Sequence, residues 1–116
     1  MRSPRRGEVW WADLSPTRGA EMTKRRPVVI LSADAIGVLP IKLVAPITGR
    51  PPQSPGHPWL VPVAPTAENG LVKSGCIDVL QLRGIATERL AGRIGVLSAD
   101  DLAEIVAAVS LVVEAE

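Results

Sequence analysis

The chain has 116 residues, 47% of them apolar and 22% charged, with a formal net charge of +1. That is enough for one domain with a real core. The longest apolar runs are far too short to span a bilayer, the N-terminal stretch lacks the apolar centre of a secretion signal, and a single cysteine excludes an internal disulfide. The sequence therefore reads as one soluble, cytoplasmic domain spanning residues 1–116. Trp10, Trp11 and Trp59 stand without any Phe or Tyr, so the core must be built from Val, Leu, Ile and Ala.

The small net charge hides an asymmetry. Residues 1–26 carry seven Lys/Arg against three acids, whereas residues 98–116 carry five acids and no base. A basic head and an acidic tail point to a polar partner met by the basic part; the competing reading is a solvated surface with an acidic helix.

In chain order, EVWWADL (8–14) is rich in strand formers and ends at Ser15-Pro16, a strand followed by a turn. PTRGAEMTKRR (16–26) mixes Pro, Gly and charge and predicts a mobile loop. Residues 27–32 form an apolar run without alternation, which predicts a strand buried on both faces, with Pro27 at its first position. IKLVAPI (41–47) is a further strand, in which Pro46 suggests an edge or a bulge. TGRPPQSPGHP (48–58), with four prolines and no apolar anchor, predicts an exposed loop. WLVPV (59–63) reads as an edge strand because of Pro62; CIDVLQL (76–82) and a weaker segment at 84–90 complete the β part. Ser98-Ala-Asp-Asp101 has the form of a capping box, and Leu102, Ile105, Val106, Val109 and Val112 recur at helical spacing, predicting an amphipathic helix to about Glu114. Short strands, Gly/Pro turns and one terminal helix predict a small antiparallel barrel, mainly β, with a C-terminal amphipathic helix.

Much enzyme chemistry is missing. His57 is the only histidine and lies in the proline loop, so no histidine pair can do acid–base work. Neither it nor Cys76 has metal-ligand spacing, and Gly7, Gly19 and Gly37 are too isolated to form a phosphate loop. Cys76 reads as a small core residue. An enzyme with this composition must use Arg, Lys, Thr, Ser or carboxylates. RNA cleavage suits that set, because the substrate supplies its own nucleophile, the 2′-hydroxyl. The protein then needs to align the attack and stabilise charge on the phosphate oxygens, which a planar guanidinium does well.

RRGEVWWADLSPTRGAEMTKRRPVVILS (5–32) resembles the opening of MazF/PemK-type toxins: Arg6-Gly7-Glu8-Val9-Trp10, then Asp13-Leu14, Pro16, Gly19, Glu21, and Arg26-Pro27 before an aliphatic strand. APIT (45–48) is similar to the family strand that ends in a functional threonine, and QLRGIATERL (81–90) to a later family segment. The resemblance covers nearly the whole chain. It implies an SH3-like barrel, a homodimer, a cognate antitoxin protein, and a sequence-specific endoribonuclease acting on single-stranded RNA without metal or cofactor. It also implies that Arg26 is catalytic, that Thr48 is its partner, and that Glu21 has a role in RNA binding or catalysis. Cleavage would leave a 2′,3′-cyclic phosphate and a 5′-hydroxyl. Where relatives carry an acid-Ser pair before the late strand, this chain has Ser74-Gly75.

Lys24, Arg25 and Arg18 are assigned to phosphate attraction. Gln81 and Arg83, two apart on a predicted strand, would point to one face, toward RNA or toward solvent. Thr48 could equally just end a strand. Of Trp10 and Trp11, one should be core and the other should meet a loop, a second subunit or a nucleobase. The acidic helix is expected at a subunit contact. Two alternatives remain: a non-enzymatic toxin of the same fold that inhibits DNA gyrase by binding, and a plain binding module.

Overall fold

The computed structural model describes residues 3–15, 18–21, 24–36, 39–49 and 57–115. Most of the predicted proline loop, residues 50–56, lies outside these, as do residues 16, 17, 22 and 23 of the predicted 16–26 loop. Seven strands form one antiparallel system: β1 (Glu8–Asp13), β2 (Arg25–Ile30), β3 (Ile41–Thr48), β4 (Leu60–Val63), β5 (Gly75–Asp78), β6 (Arg83–Ala86) and β7 (Leu90–Val96). A single helix, α1 (Ala99–Val112), follows. The strand order is β4-β5-β3-β2-β1-β7, with β6 beside β3. Among the described residues strand pairing does not close the barrel into a ring, but the Val96 N–H donates to the Glu68 carbonyl (2.9 Å), so the turn after β4 meets the last strand.

The apolar run of β2 fails to alternate because it feeds two cores. Val29 joins Val9, Ala45, Ile77 and the α1 residues Ile105 and Ala108 on one side. Val28 and Ile30 join Trp10, Leu14, Val44 and Ile85 on the other. The tryptophans divide accordingly: Trp10 is buried, whereas Trp11 is 39% exposed. The helix begins where its sequence says, with Ser98 Oγ accepting from the Asp101 N–H (3.1 Å). It ends at Val112, two residues before the expected limit.

Several boundaries differ from expectation. β2 starts at Arg25, so Pro27 is its third residue rather than its first. β3 is central, not an edge. Its residues Ile41–Val44 pair with β6 and Ile47–Thr48 with β5, and buried Pro46 falls in the gap between those two partners, where a missing N–H is harmless. Pro62 does lie on an edge strand, β4. CIDVLQL is not one strand: the Asp78 carboxylate accepts from the Leu80 N–H (3.1 Å) and turns the chain into a 3₁₀ turn at Val79–Gln81. The weak 84–90 segment is β6, a second 3₁₀ turn and the start of β7, which pairs with β1.

The acid of the Arg-Gly-acid opening is a structural hub. Glu8 is buried; its carboxylate accepts from the Arg5 N–H (2.9 Å), Trp10 Nε1 (3.1 Å) and Arg93 Nε (2.8 Å). It thereby ties the chain start to β7. Glu8→Ala should lower the unfolding free energy by about 2–3 kcal/mol, read from the urea midpoint, because it strands these donors. Glu8→Gln should recover part of the loss; a midpoint unchanged in Glu8→Ala would show that the hub contributes nothing.

Candidate active site

The β2–β3 ladder runs Ile30↔Val44, Val29↔Ala45, Val28↔Pro46 and stops. The Leu31 N–H bonds the Leu43 carbonyl (2.8 Å), and in an antiparallel pair such bonded pairs recur at every second residue. The pair after Val29–Ala45 would be Pro27 with Ile47, and Pro27 has no N–H to give. One step further in the same register, Arg26 would stand across from Thr48. The ladder opens there instead, and the opening is a cleft of about 280 Å³ lined by Arg26, Thr48, Arg25 and Trp11 among others.

Of the three residues given a catalytic role by resemblance, Arg26 and Thr48 thus lie on one cleft, on facing strands, and Glu21 does not. Arg25 lines it too, its guanidinium carbon 5.6 Å from the Trp11 ring centre. That contact resolves which tryptophan meets a polar site: Trp11 turns into the cleft. No Asp, Glu or His lines the cleft among the described residues. Its polar surface is cationic and hydroxylic, built to stabilise negative charge and hydrogen-bond an oxyanion.

The remaining assignments separate from it. Glu21 does not line the cleft; its carboxylate accepts from the Arg18 N–H (2.8 Å) and its own N–H donates to the Arg18 carbonyl (3.1 Å), closing a turn in the β1–β2 loop. Lys24 adopts a positive φ of 70°, with its N–H on Ser15 Oγ (3.1 Å) and its carbonyl accepting from Leu14 (3.0 Å), so it forms the stem of that loop. Gln81 and Arg83 do not share a strand: Gln81 ends a 3₁₀ turn and Arg83 opens β6. Both nevertheless reach one target, the loop backbone, Gln81 Nε2 at the Ala20 carbonyl (3.2 Å) and Arg83 Nη1 at the Leu14 carbonyl (3.4 Å). Arg89, not singled out in the sequence, adds bonds to the Asp13 (3.2 Å) and Ser15 (2.6 Å) carbonyls. The late segment is therefore a clamp on the basic loop. His57 is half-buried and packs edge-on to Trp59, with ring centres 5.0 Å apart.

Of the far wall of the cleft, residues 70–75, only Ser74-Gly75 stood out in the sequence, as a departure from the family pattern. The wall is held by Asn69, buried in the turn before it. The Asn69 side chain donates to the Ala64 carbonyl (2.9 Å) and accepts from the Thr66 (3.0 Å) and Leu71 (2.9 Å) N–H groups. Beyond it, Gly75 seats β5 against the end of β3: a Cβ there would collide with the Thr48 carbonyl. Cys76, opposite Thr48 in the ladder, is fully buried. Burial, with the Asp78 charge adding to it, pushes its thiol above the usual range, so it is a protonated core residue.

Residues 5–113 match the sequence family described as PemK-like, MazF-like toxin of type II toxin-antitoxin system, and the chain belongs to that family. Among relatives, it is 36% identical over 113 residues to Endoribonuclease MazF9 of Mycobacterium tuberculosis, covering 92% of this chain and 93% of that protein. Its fold matches the crystal structure of MazF from Deinococcus radiodurans with a TM-score of 0.80 at 27% identity, covering 98% and 99% of the two chains. It also matches a chain of a MazE–MazF structure from the same organism, with a TM-score of 0.75 at 26% identity over the full length of both.

Gly75→Ala should destabilise the protein by about 1–3 kcal/mol through this collision, read from the urea midpoint. A variant as stable as the parent would mean that β5 can draw back from Thr48 freely.

Proposed function

We propose that this MazF-type toxin cleaves single-stranded RNA with Arg26 and Thr48 as its catalytic residues. The observation that carries the reading is that the two line one cleft from facing strands, among cations and hydroxyls. The 2′-oxygen of the substrate attacks the adjacent phosphorus while the bond from phosphorus to the 5′-oxygen breaks. The proton lost by the 2′-hydroxyl is balanced by the one gained at the leaving 5′-oxygen. The products are a 2′,3′-cyclic phosphate and a 5′-hydroxyl. Arg26 pairs with the phosphate oxygens as their charge grows, and the Thr48 hydroxyl donates a further bond. Arg25 and the loop cations Arg18 and Lys24 draw in the backbone, and Trp11 offers a face on which a base can stack.

Glu21 shapes the loop through its turn with Arg18 rather than joining the reacting atoms. Gln81 and Arg83 act on RNA through the loop they hold. A cognate antitoxin protein neutralises the toxin by covering the basic cleft. The protein works as a homodimer in the cytoplasm; among the described residues no helix is long and apolar enough to cross a membrane. The family and the named endoribonuclease relative give the gyrase-binding alternative no support.

With EDTA present, purified protein should cut a long unstructured RNA at defined positions. Arg26→Ala should slow cutting by about 10²–10³-fold and Thr48→Val by about tenfold. Full activity in Arg26→Ala would remove the arginine from the chemistry, and a requirement for added metal would contradict the proposed mechanism.

A further inference from the structure

The wall opposite Arg25 and Arg26 carries a third cation that no motif marks. Lys73 lines the cleft, and its end folds back over the backbone just past the catalytic threonine. Its Cε and Nζ both lie 3.1 Å from where a Cβ on Gly49 would stand. An ordinary surface lysine extends its strongly hydrated ammonium into water. This one is laid beside Gly49, the neighbour of Thr48, in a cleft that Arg25 and Arg26 also line, and among the described residues no carboxylate forms an ion pair with it. Three cations around one opening repel each other, and a polyanion in the cleft relieves that repulsion.

The placement is built rather than incidental. The segment bearing Lys73 is anchored upstream by the Asn69 bonds and downstream by Gly75, whose backbone seats against the Thr48 carbonyl. Gly49 has no side chain, which leaves the lysine its seat; a Cβ there would press on the ammonium.

We infer that Lys73 is a phosphate-binding residue of the cleft, gripping the RNA backbone from the wall opposite Arg25 and Arg26. This rests on the proposed RNA-cleaving function but adds a separate claim: the strand is held from both sides of the break between β2 and β3. Lys73 acts on binding and not on the chemical step. Being exposed, it should be replaceable without loss of the fold.

The test is the salt dependence of binding to a 2′-O-methyl single strand of mixed sequence, which resists 2′-hydroxyl chemistry. It would be followed by fluorescence anisotropy for the parent, Lys73→Gln and Lys73→Arg, with urea midpoints confirming equal stability. Losing one phosphate contact should lower the slope of log affinity against log salt by about 0.7 in Lys73→Gln, with several-fold weaker binding, while Lys73→Arg keeps the parent slope. On cleavable RNA, Lys73→Gln should raise KM and leave kcat within about twofold, the signature of lost uniform binding. A parental slope and KM in Lys73→Gln would overturn the inference, and so would a fall in kcat at unchanged KM. Binding without any cutting by the parent protein would instead contradict the nuclease reading, and the slopes would still decide the role of Lys73.

Discussion

The site depends on one absent hydrogen bond donor. β2 and β3 pair in regular register until the place where Pro27 would have to donate, and there they part. Had the ladder continued, Arg26 and Thr48 would stand across from each other as a non-hydrogen-bonded pair in a closed sheet, with little room between them. Because it stops, they become the two lips of an opening. Their strands stay fixed below it by Val28, Val29, Ile30, Val44 and Ala45, all fully buried. The Arg-Pro dipeptide thus joins two functions: the arginine carries charge, and the proline after it makes the space in which that charge can meet a ligand.

Arg26 and Thr48 sit near the ends of core strands, and the far wall of the cleft is pinned by Asn69 and Gly75. Gln81, Arg83 and Arg89 reach across from the late segment to the backbone of the basic β1–β2 loop. These contacts explain why a segment far along the chain belongs to the same functional unit without lining the cleft. They also leave the loop cations, Arg18 and Lys24, exposed for a polyanion.

The helix, the two-sided burial of β2 and the edge position of β4 were legible in the sequence because capping, lack of alternation and Pro62 are local signals. Strand β7 was not. LAGRIGV has a charge and two glycines where a strand would show an apolar run, and it is a strand because β1 needs a partner and Gly95 admits the turn at Asn69. Arg26 and Thr48 could be named from resemblance, but their juxtaposition is a matter of register, which separates residues far apart in the chain from any local pattern. Gln81 and Arg83 were drawn to a common target for an incorrect reason, since a 3₁₀ turn and not a strand spaces them. Lys73 left no signal, and Gly75 showed only as a departure from the family pattern, because their meaning lies in what they meet across the fold.

In the proposed reaction the RNA provides the nucleophile and the cleft needs none of its own. The most direct test of this is an RNA carrying a single 2′-deoxy substitution at the nucleotide whose 3′-phosphate is cut. The account predicts that cleavage at that bond disappears while other sites in the same strand are cut as before. Undiminished cleavage at the substituted position would mean that water or a protein group attacks the phosphorus, and the roles given to Arg26 and Thr48 would be wrong.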